Sequence, residues 1–234
     1  GYANRHTIET RYRDFKVDDT IVKLNKDYYK DGSKNLQLLE FTYRYDLNEV
    51  DNWNYPLNGL KIVGYAIVRA GIKGFDFQSM INAEVGYFKR LGRKWLLAEV
   101  LRGRLTVPDE QPYTFRYAMG NNSEYVRGYE YYVVDGAQYG LFRSNMKYEL
   151  LNTAIRNFPI KFLAVIPIRV YPKVFVDVGY VSNRFGGNSF LNNRGLVGYG
   201  AGIDVISIYD FKFRLEYAWN HMGEKGLFLH LNSE

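Results

Sequence analysis

Strict alternation of apolar and polar residues recurs along this chain, over segments longer than most soluble strands. Gln37, Leu39, Phe41, Tyr43, Tyr45 and Leu47 fall on one face of an extended chain, and Leu38, Glu40, Thr42, Arg44 and Asp46 fall on the other. Phe211, Phe213, Leu215, Tyr217 and Trp219 oppose Lys212, Arg214 and Glu216 in the same way. Phe142, Met146, Tyr148 and Leu150 oppose Arg143, Asn145, Lys147 and Glu149, and Ile81, Ala83, Val85 and Tyr87 oppose Asn82 and Glu84. Successive side chains of a strand point to opposite faces, so each run builds a ribbon with one apolar and one polar side. The runs predict strands over 6–17, 20–29, 35–48, 59–73, 77–90, 93–106, 139–152, 162–181, 196–207, 210–221 and 226–232, about eleven in all. Pro159, Pro167 and Pro172 interrupt 153–173, and a residue without an N–H cannot donate to a ladder, so this stretch reads as a strand pair with a bulge.

Composition agrees with sheet. The chain carries 22 Tyr, 15 Phe and 3 Trp, residues that fit a pleated surface better than a helix. Charged residues are 24% and interspersed, which argues against disorder. The net charge of +6 points to an anionic partner or to a solvated basic surface, but no run of five like charges occurs, which argues against a nucleic-acid tail. No cysteine is present, so disulfide scaffolds and thiolate metal sites are excluded. Gly1-Tyr2-Ala3-Asn4-Arg5 has no apolar core of a signal peptide. The apolar run Phe162–Ile168 stops at Arg169, far short of the ~20 residues a spanning helix needs. A chain of this kind enters a membrane only as strands.

Strand length then chooses between fold classes. Soluble strands run about five or six residues, whereas a tilted strand crosses a bilayer in about nine to eleven. The turns at 31–33 and 92–93 are tight, and 107–138 and 182–195 are long and polar, the asymmetry that outer-membrane barrels show. Tyr43 and Tyr45, Tyr87 and Phe88, and Tyr217 and Trp219 stand towards strand ends, where interfacial girdles would lie. In lipid every backbone polar group needs an internal partner, so such a sheet has to close. The expected fold is all-β, an antiparallel transmembrane β-barrel. A soluble β-sandwich or lipid-binding barrel is the alternative.

The longest polar interruption contains Gly120-Asn121-Asn122-Ser123-Glu124-Tyr125-Val126-Arg127-Gly128-Tyr129-Glu130. Val126-Arg127-Gly128-Tyr129 resembles the V-R-G-F/Y signature of the BamA/TamA outer-membrane assembly superfamily, the bacterial surface antigen family. Phe175-Val176-Asp177-Val178-Gly179-Tyr180 is similar to the family's D-x-G strand, and Lys147-Tyr148-Glu149 to the strand that brings a second lumenal carboxylate. Five strand-like segments follow the loop, as in the family. The resemblance implies that the motif folds back into the barrel. It also implies that Asp177, Glu149 and Gly179 receive it from the wall, with Arg127 bridging the two carboxylates. It covers the whole chain in pattern, with specific motifs only in 120–180. Family barrels have about sixteen strands behind soluble POTRA domains. The chain therefore reads as the C-terminal part of such a barrel, with the first strands and the POTRA domains not included. The end Asn232-Ser233-Glu234 lacks a terminal aromatic, which favours the TamA-like branch.

No catalytic constellation accompanies these motifs. His6, His221 and His230 have no metal spacing, no G-x-S-x-G elbow occurs, and the glycines of 195–202 open a strand rather than a helix N-terminus. Those glycines instead mark bends or close backbone approach. Asp18-Asp19 and Asp109-Glu110 read as turn acids. The expectation is no enzyme, cofactor or metal. The resemblance implies an integral protein of a Gram-negative outer membrane that inserts or translocates other proteins. Its partners would be outer-membrane lipid, unfolded outer-membrane or secreted polypeptides, and periplasmic or inner-membrane proteins reached through POTRA domains, with no nucleic acid. Leu227, Phe228, Leu229, His230 and Leu231 would form one side of a lateral seam that templates an incoming strand. A two-partner secretion pore, and a barrel carrying an upstream patatin-like lipid hydrolase, share the fold and are the alternatives.

Overall fold

The computed structural model describes residues 3–120, 124–156, 165–184, 189–208 and 211–231. Asn121–Ser123 of the motif stretch, Pro159, the first residues of the expected strand 162–181, and the terminal Asn232-Ser233-Glu234 lie outside the described residues.

The chain is all-β. The strands are β1 (Ala3–Lys16), β2 (Asn35–Val50), β3 (Gly59–Lys73), β4 (Phe77–Leu91), β5 (Trp95–Val107), β6 (Tyr117–Met119), β7 (Val134–Asp135), β8 (Gln138–Tyr148), β9 (Leu151–Arg156), β10 (Val165–Ser182), β11 (Gly195–Ile206), β12 (Lys212–Asn220) and β13 (Lys225–His230). Eleven of them form one antiparallel sheet in the order β1-β2-β3-β4-β5-β8-β10-β11-β12-β13. The remaining member of that sheet, β9, continues the line of β8 along β10. The short pair β6 and β7 makes a separate ribbon inside the long loop. Among the described residues no pairing joins β1 to β13.

One expected strand is a helix. Residues 20–29 were expected to be extended, but α1 (Asp19–Leu24) is helical and a tight turn follows at Lys30–Gly32. Asp18 stands at the N-cap and its carboxylate accepts from the N–H of Thr20 at 2.8 Å, a local bond that an extended chain cannot make. The direct β1–β2 ladder, from Ala3↔Asn48 to Lys16↔Asn35, also leaves no edge between them. The prolines of 153–173 are tolerated by position. Pro172 falls opposite the break between β8 and β9, and Pro167 lies beyond the last β11 partner, Arg169↔Ile206.

The faces are inverted relative to a soluble protein. Leu39, Phe41, Val68, Ile81, Val85, Leu101, Leu105, Phe142, Val174, Val176, Val178, Ile203, Leu227 and Leu229 are all exposed, on one side of the sheet. Glu40, Asp46, Arg102, Arg143, Lys147, Lys173, Asp177, Asp204, Lys212 and Glu216 are all buried, on the other. Contiguous apolar area on this scale is far beyond the scattered exposed side chains of a soluble surface. Phe88 departs from the expected girdle: it points to the polar side, where its ring lies over Gly86. The polar face is concave, because Tyr55, in the turn between β2 and β3, hydrogen-bonds Asp204 on β11 at 2.8 Å.

Candidate functional site

The long loop between β5 and β8 does not stand off the sheet. It folds down on the polar face of β8, β10, β11 and β12. Ala118, Met119, Val126, Tyr129 and Val134 from the loop pack with Tyr139, Leu141, Val181, Leu191 and Leu196 from the wall and the neighbouring loop. The motif itself is a compact turn: the N–H of Tyr129 donates to the carbonyl of Val126 at 2.9 Å, and that of Tyr132 to Tyr129 at 2.9 Å. Gly128 has φ of 90°, a conformation that side chains rarely adopt, and a Cβ there would stand 3.0 Å from the carbonyl oxygen of Trp219. The wall is hollowed to match. A Cβ on Gly198 would lie 1.8 Å from the carbonyl oxygen of Arg127, and one on Gly179 would lie 2.5 Å from Val126. These glycines answer the sequence reading of close backbone approach.

Into this hollow goes one cation. Arg127 is 2% exposed, and its carboxylate partners Asp177 and Glu216 are fully buried. Its Nε donates to Asp177 Oδ2 at 2.8 Å, its Nη2 donates to Asp177 Oδ1, and its backbone N–H reaches the same carboxylate at 3.1 Å. Its Nη1 donates to Glu216 Oε1 at 2.9 Å and to Asn145 Oδ1 at 2.7 Å. The guanidinium carbon lies 3.8 Å from the centre of the Phe175 ring. Only a planar fork can hold two oxygens of one carboxylate, reach a second carboxylate, and still stack on an aromatic face. Arg143, 3.8 Å from Asp177, donates to the carbonyl of Tyr125 and lies over the Tyr125 ring, so the segment entering the motif is held as well. Tyr129 is buried, its hydroxyl bonded to His221, and Asn220 donates to the carbonyl of Gly128 at 2.9 Å.

The structure thus brings Val126, Arg127, Gly128 and Tyr129 together with Asp177 and Gly179. It does not bring Glu149 to them. Glu149 sits where β8 gives way to β9, next to Arg90 at 3.5 Å and the Tyr171 hydroxyl at 3.4 Å. The second carboxylate is Glu216 on β12. The reason is height along the strand: Asn145, not Glu149, pairs with Phe175 beneath the guanidinium, and Glu149 falls past the end of the β8–β10 ladder. Glu216 was placed on a polar face by alternation, but no motif marked it.

Burial pushes up two carboxyls of the loop, Asp135 and Glu130, the residue after the motif. Burial, first of all, pushes the Glu130 carboxyl up to about 7, against a backbone N–H bond from Gly128 that favours the anion. Its Oε1 is buried with no hydrogen-bond partner among the described residues. Tyr129 is pushed up to about 12, mainly by burial, and stays neutral.

A second polar cluster surrounds Asp204. Lys173 lies 2.7 Å from it, Arg214 3.2 Å and Lys147 3.7 Å, and the Tyr55 hydroxyl donates to it at 2.8 Å. The sequence reading missed Tyr55 and Asp204. Tyr55 lies in a turn without periodicity, and its partner is distant in sequence. Of the expected seam residues, Leu227, Leu229 and Leu231 are exposed, while Phe228 packs with Phe175 and Ala218, and His230 stacks on Tyr125 with ring centres 6.0 Å apart. No group of three or more potential metal ligands occurs among the described residues.

No family model and no curated protein matches this chain.

Proposed function

We propose that this chain is part of an outer-membrane β-barrel that assembles, inserts or translocates other polypeptides, as its resemblance to the BamA/TamA superfamily implies. The observation that carries the reading is the buried Arg127–Asp177–Glu216 cluster on the polar face of an inverted sheet. An arginine at a loop tip is ordinarily solvated. Here it is inserted against a wall whose outer side presents exposed Leu, Val, Ile and Phe. A wet, charged interior and an apolar exterior fit a barrel in lipid, with the loop lying in the lumen. No helix among the described residues is long and apolar enough to cross a membrane.

The proposed work is done by the outer edge of β13, which pairs only with β12 among the described residues. Its N–H and C=O groups template an incoming strand by β-augmentation, and no nucleophile, metal or cofactor takes part. The partners are lipid and unfolded outer-membrane polypeptides, and the parent protein reaches periplasmic or inner-membrane components through POTRA domains. Photo-crosslinkers at Leu227, Phe228, Leu229 and His230 in the parent protein test this. We expect adducts with nascent barrel substrates along this strand. Adducts with a secreted polypeptide only at Phe228 and His230, the inward positions, would mark a two-partner secretion pore instead. No adduct at any of the four positions would remove the seam.

A further inference from the structure

Two segments enter the polar face from opposite ends of the sheet. The turn 51–58 follows the pair Val50↔Gly59 at one end, whereas the Arg127 loop leaves from Val107, paired with Ser79, at the other. Each segment is built to hold a fixed shape. In the first, Asp51 Oδ1 accepts from the N–H groups of Asn52, Leu57 and Asn58, and Asn52 Oδ1 accepts from Asn54 and Tyr55. This presents Tyr55, 2% exposed, to Asp204 and to the ring of Tyr171 at 5.2 Å. Leu57 joins Leu96, Tyr171 and Ile206 in the same cluster. The second segment presents Arg127, as described.

Between the two anchors stand two cations, Lys173 and Arg214, and Lys173 makes the shorter contacts to both. Lys173 Nζ lies 2.7 Å from Asp204 Oδ1 and 2.7 Å from Glu216 Oε1, and its side chain is 1% exposed. Glu216 Oε1 is also the atom that accepts from Arg127. The contacts run without interruption from Asp177 through Arg127, Glu216, Lys173 and Asp204 to Tyr55. A cross-strand Gly202 opposite both Lys173 and Glu216 leaves the room for that bridge.

We infer that Lys173 is a coupling residue: it ties the docking of the 51–58 turn to the docking of the Arg127 loop, so that release of one loosens the other. The physical reason is sharing. A lysine ammonium is a point charge with three donors, and here it serves a carboxylate from each anchor. When Tyr55 withdraws, Asp204 loses a donor and draws more on Lys173, which weakens the hold of Lys173 on Glu216 and hence the seat of Arg127. Coupling of this kind is reciprocal by linkage. Without Lys173, each anchor keeps its own cations: Asp204 keeps Arg214 and Lys147, and Glu216 keeps Arg127, with Arg214 at 4.0 Å. The link left between the loops would be the longer one through Arg214, so most of the coupling would be lost.

Amide hydrogen exchange in the bilayer-embedded protein tests the inference without reference to what the barrel transports. Tyr55→Phe removes one hydroxyl and leaves every charge in place. It should quicken exchange in 124–132 about five-fold or more, and Arg127→Ala should do the same in 51–58. In a Lys173→Met background both remote effects should fall sharply, leaving only what Arg214 carries, while the local ones persist, and Lys173→Arg should retain more of the coupling. Unchanged exchange in 124–132 on Tyr55→Phe overturns the inference whatever happens to the lysine variants. So does a remote effect of undiminished size in Lys173→Met.

Discussion

Replacing Arg127 by alanine strands two buried carboxylates. Asp177 loses two of its three donated bonds and keeps Arg143 at 3.8 Å, while Glu216 keeps Lys173 at 2.7 Å. The backbone N–H of residue 127 survives the substitution, so one of those three can remain. Breaking a buried ion pair by removing one partner costs about 3–5 kcal/mol. The residual cations place this site near the lower figure, and the lost stacking on Phe175 adds about 1 kcal/mol. A change of about 3–4 kcal/mol alters the ratio of docked to released loop by more than a hundredfold, since about 1.4 kcal/mol is a factor of ten. Limited proteolysis of the folded protein reads this directly, with sites in 124–137 cut faster in proportion to the released fraction. Arg127→Lys should recover part of the protection, because an ammonium reaches one carboxylate but cannot span both. Cleavage of Arg127→Ala within about two-fold of the native rate would show that the apolar packing of Val126 and Tyr129 seats the loop unaided.

Other perturbations follow from the same geometry. Gly198→Ala puts a methyl 1.8 Å from the Arg127 carbonyl oxygen and should release the loop as fully as Arg127→Ala, a result read by the same proteolysis. Because the Glu130 carboxyl is pushed up to about 7, the docked loop binds a proton that the released loop gives up near 4.5. Docking is therefore strongest below about pH 4.5, weakens by about 3 kcal/mol from this group as pH rises through about 7, and levels off above it. Glu130→Gln should remove that share of the profile, leaving the smaller one from Asp135. Spin labels at Phe41, Val85, Phe213 and Leu215 should report hydrocarbon, and labels at Glu84, Arg214 and Glu216 should report water or protein. Equal aqueous access at both sets would exclude the membrane barrel.

Much of the sheet is legible in the sequence because a period of two has few alternatives once it runs for ten or more residues. The strands 35–48, 59–73, 77–90 and 196–207 lie within one or two residues of β2, β3, β4 and β11. Residues 20–29 misled because Val22 and Leu24 mimic part of a strand face, and the capping bond from the Thr20 N–H to Asp18 is a local choice that alternation does not see. The partners of Arg127 divide along the same line. Asp177 was readable because a motif marks it. Glu216 was not, because alternation tells which face a residue is on and says nothing of how high it stands beside the next strand. Register supplies that, and register comes from pairing: Gly202↔Glu216 and Gly202↔Lys173 set Glu216 level with Lys173. Tyr55 lies outside both sources of information, being a turn residue whose partner is on a strand far along the chain.

The choice of an ionic anchor has its own logic in an inverted sheet. In a soluble protein an apolar loop tip finds the interior, because the interior is the only apolar place. Here exposed Leu101, Leu105, Val174, Val176 and Val178 give the outer face as much apolar surface as any core, so an apolar tip carries no information about which side to take. A guanidinium does. An apolar surrounding on the outer face would cost it several kcal/mol, whereas the inner face holds Asp177 and Glu216 at matching height. Val126 and Tyr129 then add packing only after the charge has selected the side. The glycine-lined hollow at Gly179 and Gly198 makes the selection local, since side chains at those positions would hold Arg127 too far from the wall to reach either carboxylate. The same reasoning explains why the opposite insert is led by a tyrosine hydroxyl towards Asp204 rather than by its exposed neighbour Trp53, whose indole would be at home in the lipid interface.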